Sequence, residues 1–520
     1  MTESAEPLVL AVDLGSQSVR AALFDARGRM LQLHRIRLEP GQEPQPGWLE
    51  QDPEYFWNTL CRATRAVLAS ADSGRLKAVA VSCQRGTVIN LDARGRPLRP
   101  AINWLDRRTL AGPLTPLPLH WRLAFAAAGE SSTVDYLRRQ CEINWVRRHQ
   151  PEVWQATHKF LFLSGYIHFR LTGAYADSAA AQVGYVPFDA RRHAWASPRN
   201  WKWHAVQVES RMLPELVQAG EVLGQVQDRA AEDSGIPAGT PIVATGTDKA
   251  CEALAAGCLD EDTGCLSLGT QASVLLNAQR YFEPVRLIPA FPAAIPGWYS
   301  PEVSVMRGFW MVTWFKEQFA ALEQMQAERD GFDAEQLLDD LVGAVPPGSL
   351  GLMLQPFWGG GLRYPGVSAR GAVVGFGDVH HKGHFYRAIL EGLAYALREG
   401  RERMERRGGL RLTGLRAVGG GARSATAVQI CADVMDAPVW RMECAEATAL
   451  GAAISAATGA GLHRDTRAAA ASMVRTSDRF EPDSSHRDLY DRLYRRVYLR
   501  LYPKLRSLYR ELRDITGYPR

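Results

Sequence analysis

No cysteine in this 520-residue sequence lies three positions from another. The eight cysteines therefore offer neither a paired zinc-ligand motif nor a disulfide framework. Cys251, Cys258 and Cys265 recur at seven-residue spacing, but their local contexts differ, and they read as core thiols. Long apolar runs are also missing. None approaches the roughly 20 residues that a membrane helix needs. The N-terminus, MTESAEPLVL, has neither the basic start nor the small-residue cleavage site of a secretory signal, so a cytoplasmic location is expected. Net charge is only +5, and the arginines fall in short clusters on expected helices. Without a concentrated basic tract, no nucleic-acid partner is expected. There is no Gly-x4-Gly-Lys-Ser/Thr, and the glycines after Val418 lack Gly-x-Gly-x-x-Gly spacing. These gaps argue against a P-loop and against dinucleotide chemistry.

What is present describes a globular chain, with 46% hydrophobic and 22% charged residues. Its length exceeds what one ordinary core supports, so two domains are expected. The polar, Pro- and Gly-containing stretch from Leu213 to Thr240 reads as a linker with one short helix. It divides the chain into 1–240 and 241–520.

The central stretch is PIVATGTDKACEALAAGCLDEDTGCLSLGTQA, Pro241 to Ala272. Ile242 to Ala244 reads as a buried strand ending in Gly246-Thr247-Asp248, and Ala250 to Gly257 as a closely packed helix. A second strand then breaks at Gly269-Thr270. A carboxylate at a strand end can accept a hydroxyl proton, and a Gly-Thr turn can present N–H groups to phosphate. Asp248 could equally be a helix N-cap.

The same composition occurs near the start. Leu8 to Val12 runs into Asp13, Gly15, Ser16 and Gln17, and then into Val19 to Phe24. A further turn at Asp25 to Gly28 leads to a third strand, Met30 to Leu38. The first turn could hold terminal phosphates through its N–H groups, with Asp13 holding Mg2+ through water, or it could be an ordinary Asp-Gly hairpin. Two strand–Gly–Ser/Thr–strand units about 250 residues apart point to an internal duplication.

Other stretches carry further candidates. Lys77 to Ser82 reads as a buried strand ending at Cys83, Gln84, Arg85, Gly86 and Thr87, and Ala101 to Arg108 as another strand end. Gln84, Arg85, Trp104 and Asp106 could line a polar pocket with the indole as its apolar wall; the alternative is a buried ion pair between Asp106 and an arginine. Arg138 to Gly173 reads as two helical pieces, and Trp310, Trp314 and Phe315 as core. His380, His381 and His384 start a helix that runs to about Arg407, and they are weighed as metal ligands without a supporting carboxylate. Gly419, Gly420, Gly421 and Ala422 separate a strand from a helix and would let a flat ring or a phosphate approach the backbone. Leu489, Leu493, Val497, Leu501, Leu505, Leu508 and Leu512 stripe a C-terminal helix expected to pack, with a kink near Pro503.

In this order, the motifs resemble those of the FGGY carbohydrate kinases, nearly end to end. Asp13-Leu-Gly-Ser16 is similar to that family's first phosphate turn, and Gly47-Trp48-x-Glu50-x-Asp52-Pro53 with Trp57 to its first loop. Leu171-Thr172-Gly173, Gly246-Thr247-Asp248 and Ser267-Leu268-Gly269-Thr270 resemble later motifs, as do Gly419 to Ser424 and Glu446 to Gly451. The resemblance implies an α/β fold of two actin-like, ribonuclease-H-like domains with a cleft between them. It implies ATP- and Mg2+-dependent phosphorylation of a sugar or polyol hydroxyl. Asp248 would be the base and would touch the substrate with Gln84, Arg85, Trp104 and Asp106. Asp13 would hold the metal. Gly15, Ser16, Gln17, Gly269 and Thr270 would donate to phosphates, Arg20 would offset charge, and Gly420, Gly421 and Ala422 would face the nucleoside. The strand-end residues look most like the glycerol kinase branch, but Gly86 stands where that branch has a glutamate. A ketose or a four- to seven-carbon polyol is therefore expected. The alternatives are a glycerol kinase proper and a non-catalytic binder of nucleotide and sugar. A homodimer is left open.

Overall fold

A computed structural model of the chain describes residues 6–331, 334–361 and 363–518. Most of the acidic N-terminal stretch considered above lies outside them. The chain separates into two compact units. One comprises the chain up to Ala255 with Phe291–Tyr299 and Thr448–Met473; the other comprises Ala256–Ala290, Ser300–Ala447 and the chain from Val474.

The first unit is built on a six-stranded sheet. Its strands are β1 (Leu8–Leu14), β2 (Ser18–Asp25), β3 (Met30–Arg37), β4 (Leu76–Cys83), β5 (Val222–Gln225) and β6 (Pro241–Val243). Their spatial order is β5-β6-β4-β1-β2-β3. β1 and β2 are antiparallel, as are β2 and β3, whereas β4 runs parallel to both β1 and β6. The central strand LVLAVDL is buried at every position, as a strand covered on both faces must be. The edge strand MLQLHRIR is mostly exposed and carries the charge that discourages edge-to-edge pairing.

The second unit repeats this plan with β7 (Thr263–Leu268), β8 (Ala272–Leu275), β9 (Glu302–Val305), β10 (Gly414–Val418), β11 (Val439–Met442) and β12 (Thr476–Phe480). The order is β9-β8-β7-β10-β11-β12, again three antiparallel strands followed by parallel β10 and β11 and an antiparallel edge. The duplicated strand–turn–strand motif thus marks a duplicated sheet.

The linker composition suggested a break after residue 240, but the hydrogen bonds divide the chain differently. Val222–Gln225 is an edge strand paired with Pro241–Val243, and the latter pairs with β4, so the expected linker lies inside the first sheet. The Arg138 to Gly173 stretch also differs from two helical pieces. A strand, Lys159–Phe162, pairs with Val88–Leu91 ahead of the helix Leu163–Thr172. Phe315 is fully buried, with Trp310 and Trp314 packed against the same core.

The C-terminal helix Leu499–Thr516 continues through Pro503, and a π-helical turn over Tyr494–Tyr498 precedes it. Only part of the leucine stripe packs: Leu493 and Leu501 are half-buried against the core. Leu508 and Leu512 are 56% and 48% exposed, while Tyr490, Tyr494, Tyr498 and Tyr509 are buried. The aromatic rings bury more area per residue, and three of the four hydroxyls find partners: Tyr490 bonds Glu391, Tyr494 bonds Glu402 and Tyr509 bonds Gln355, while that of Tyr498 is buried without one.

Candidate active site

Parallel pairing brings the C-terminal ends of β1, β4 and β6 side by side, and these ends carry Asp13, Gln84 and Asp248. Open α/β sheets commonly place their chemistry there. Asp13 is 3% exposed, and Arg20, its register partner on β2, donates from Nη1 to Oδ2 at 2.6 Å. The other oxygen, Oδ1, is buried without a hydrogen-bond partner. Burial pushes the Asp13 carboxyl up to about 6; Arg20 opposes the shift, and the nearby Asp248 and Glu252 carboxylates add to it. In the turn that follows, Gly15 N–H bonds the Ser18 carbonyl at 3.1 Å, while Ser16 and Gln17 are exposed.

Asp248 opens the helix Asp248–Ala255, but the cap belongs to its neighbour. Thr247 Oγ1 accepts from Ala250 N–H at 3.4 Å, and the Thr247 carbonyl accepts from Cys251 N–H. The Asp248 carboxylate, 31% exposed, accepts from Lys249 N–H at 2.8 Å and lies 3.5 Å from Arg85 Nε. Its helix is held close to the segment Thr448–Met473: Thr245 Oγ1 bonds Ser455 Oγ at 2.8 Å, and Gly451 meets the Cys251 backbone. Sequence reasoning did not assign a role to the pair that follows the aspartate. Lys249 Nζ donates to Glu252 Oε2 at 2.9 Å with both side chains largely buried, and the i,i+3 spacing on a helix is the signal that could have revealed it.

Gln84 and Trp104 do come together. Trp104 Nε1 donates to Ser16 Oγ at 2.9 Å and to Gln84 Oε1 at 3.2 Å. Gln84 is 4% exposed, and its Nε2 donor has no partner. Gly86 adopts a positive φ of 78°, and a Cβ there would meet only Trp104 Cβ, at 3.5 Å. The glycine therefore leaves open space beside the indole. Asp106 forms the buried ion pair that sequence reasoning held as its alternative. Oδ2 accepts from Leu49 N–H at 2.6 Å, and both oxygens accept from Arg108. Arg108 is itself held by Glu50 and lies over the Trp48 and Trp145 rings at 4.2 and 4.6 Å. This arrangement makes Asp106 a brace of the Trp104 loop.

In the second unit the two glycine turns lie at the ends of the parallel neighbours β7 and β10. A Cβ on Gly419 would approach Leu268 and Gly269 backbone to within 3.2 Å. Thr270 and Gly420 are exposed, nothing crowds Gly420, and Gly421 backs onto Phe309. Ala422 is 5% exposed and part of the core, so its side chain offers little to a ligand.

The three histidines are caps. His381 Nδ1 accepts from Gly383 N–H, His384 Nδ1 from His381 N–H and His380 Nδ1 from Gly377 N–H. Among the described residues no group of three or more His, Cys, Asp or Glu could hold a metal ion. Asp13 fits Mg2+ differently, because that ion usually keeps several waters and takes one or two carboxylates besides substrate phosphates. The orphaned Oδ1 is the acceptor such a hydrated ion would use. Among the described residues no helix is long and apolar enough to cross a membrane.

Comparison with known proteins shows the family. Residues 8–255 match the N-terminal domain, and 264–460 the C-terminal domain, of the FGGY family of carbohydrate kinases. The chain belongs to that family, and its fold is the family's pair of actin-like α/β domains. It is a carbohydrate kinase, a phosphotransferase with an alcohol group as acceptor, and its family uses ATP as donor. It is 28% identical over 490 residues to YgcE, an uncharacterised sugar kinase of Escherichia coli K12, covering 93% of this chain and 91% of the relative. It is 26% identical to a xylulose kinase of Staphylococcus epidermidis (strain RP62A), covering 93% and 94% of the two chains. An autoinducer-2 kinase of Enterobacter sp. 638 is 28% identical, covering 93% and 92%. The crystal structure of a gluconate kinase from Lactobacillus acidophilus superposes with a TM-score of 0.81 at 19% identity, covering 98% of this chain and all of that one.

Proposed function

We propose that this kinase transfers the ATP γ-phosphoryl group to a hydroxyl of a ketose or of a four- to seven-carbon polyol. Asp248 accepts the hydroxyl proton. One observation carries the assignment: Asp248 stands at a parallel strand end beside Arg85, with the capping of its helix already done by Thr247. A carboxylate that is 31% exposed, bonds the adjacent Lys249 N–H and leaves the Ala250 N–H to Thr247 is available to a substrate hydroxyl.

The other residues bind and orient. Arg85 and the unpartnered Gln84 Nε2 donate to acceptor oxygens, and the Trp104 indole gives the carbon skeleton an apolar wall. The N–H groups of the Gly15–Gln17 turn and of Gly269 and Thr270 donate to phosphates, and Gly420 and Gly421 give the nucleoside a flat backbone surface. Asp13 holds hydrated Mg2+, which when bound offsets phosphate charge. Such a site works mainly by positioning and charge stabilisation, with the base worth about 10²–10⁴ in rate. The open volume at Gly86 favours an acceptor longer than glycerol, and similarity to a xylulose kinase supports a ketose.

ADP release from Mg·ATP across ketoses, aldoses, polyols and glycerol tests this reading, with Asp248→Asn as control. A long acceptor should be used best, and the variant should lose about 10³-fold in turnover while still binding ATP. Best use of glycerol would sink the acceptor assignment. Phosphate release without any acceptor would point to an ATPase instead.

A further inference from the structure

The C-terminal helix Leu499–Thr516 carries an apolar seam beside its tyrosines. Leu501, Leu505, Leu508, Leu512 and Ile515 follow one another at alternating steps of four and three residues, the spacing by which one helix packs along another. The second unit covers only the start of this seam. Leu501 packs against the core and Leu505 is half-buried, whereas Leu508 and Leu512 are exposed and Ile515 is 75% exposed. The face turned to the core is filled by Tyr502 and Tyr509. Tyr502 meets Phe357 edge-on at 5.9 Å, and the Tyr509 hydroxyl accepts from Gln355 Nε2 at 2.7 Å. The helix is thus fixed with its leucines pointing past the core. Single exposed leucines are ordinary, but a row of three apolar side chains over two turns of an anchored helix marks a contact surface.

The charges beside the seam identify what fits it. Lys504 and Glu511 each precede a seam leucine by one position, on the flank away from Tyr502 and Tyr509. Both are exposed, and neither has an ion-pair partner among the described residues. When two identical helices pack antiparallel, these equivalent positions face each other, so Lys504 of each copy meets Glu511 of the other, twice by symmetry. In a parallel pair the same positions would meet Tyr509 and Thr516 and stay unpaired. A bilayer surface calls for cations along this flank, and Glu511 argues against it.

We propose that this seam is a docking surface for a second copy of the chain. The two C-terminal helices pair antiparallel about a two-fold axis near Leu508, with two Lys504–Glu511 pairs at the rim.

Sedimentation equilibrium of the full chain tests this. The unaltered protein should dimerise with a Kd of about 10 µM or tighter. Leu512→Glu, in the middle of the exposed seam, should raise that Kd by at least about thirtyfold. Lys504→Glu and Glu511→Lys should each raise it about three- to tenfold, and the double exchange should restore it. The altered side chains are exposed, so far-ultraviolet circular dichroism should not change. A chain that stays monomeric, a dimer indifferent to Leu512→Glu, or charge variants that have no effect or are not rescued by the double exchange would overturn the assignment. So would a monomer that co-sediments with phosphatidylglycerol vesicles through the same leucines, which would make the helix a membrane contact. Should Leu512→Glu fail to fold, the charge series reads the same contact.

Discussion

Arg20 and Asp13 face each other across the first hairpin, Nη1 to Oδ2 at 2.6 Å, and this contact leaves Asp13 one free oxygen in a buried setting. Arg20 keeps part of the burial penalty off a carboxyl that would have to be ionised to hold the proposed cation. Arg20→Gln should therefore raise the Asp13 pKa further, since an opposite charge at contact lowers a carboxyl by about 1–3 units. The acidic limb of kcat/KM, expected near the Asp13 value of about 6, should move to higher pH by about one unit. Mg2+ affinity measured by titration at pH 6.5 should weaken with it. An unmoved limb would assign that titration to another group.

At Gly86 the positive φ of 78° and the open space make two separate demands. Gly86→Ala meets no clash but pays the left-handed penalty, so it should cost about 1 kcal/mol in urea unfolding and leave selectivity unchanged. Gly86→Glu places a carboxylate in the open space. Its ratio of glycerol to long-acceptor kcat/KM should rise about tenfold.

Gly451 is needed for its size. A Cβ there would stand 2.1 Å from the Cys251 carbonyl oxygen, a backbone atom with nowhere to turn. Gly451→Ala should destabilise by about 1–3 kcal/mol in urea unfolding. Because Cys251 shares a helix with Asp248, kcat should fall by more than the folded fraction accounts for.

Glu142 links stability to pH. Its folded pKa, about 7, lies above the ordinary 4.5, so the folded state holds this proton more tightly. The resulting stabilisation is complete below about pH 4.5 and is lost as pH rises through 7. Glu142→Gln removes that titration. Its melting temperature relative to the unaltered protein should rise between pH 5 and pH 8.

By itself the sequence determined the features that depend on neighbours along the chain. Asp13 and Asp248 at strand ends, the glycine turns at Gly15, Gly269 and Gly419–Gly421, and the repeat of the first hairpin were legible because turn chemistry and burial of a continuous apolar strand are local. Tertiary structure decided what depended on partners far along the chain. Asp106 became a brace because Leu49 N–H reaches it from 57 residues away, and the half-buried Asp248 came to lie beside Arg85. At the C-terminal helices the tyrosines took the deepest places, with Leu493 and Leu501 half-buried beside them, because Glu391, Glu402 and Gln355 lie within reach of their hydroxyls. Val222–Gln225 and Thr448–Met473 joined the first unit through a sheet edge and a glycine contact. Periodicity names a helix's candidate faces and turn residues name a strand's end, but only contacts between distant segments decide which face is covered and which carboxylate is left for chemistry.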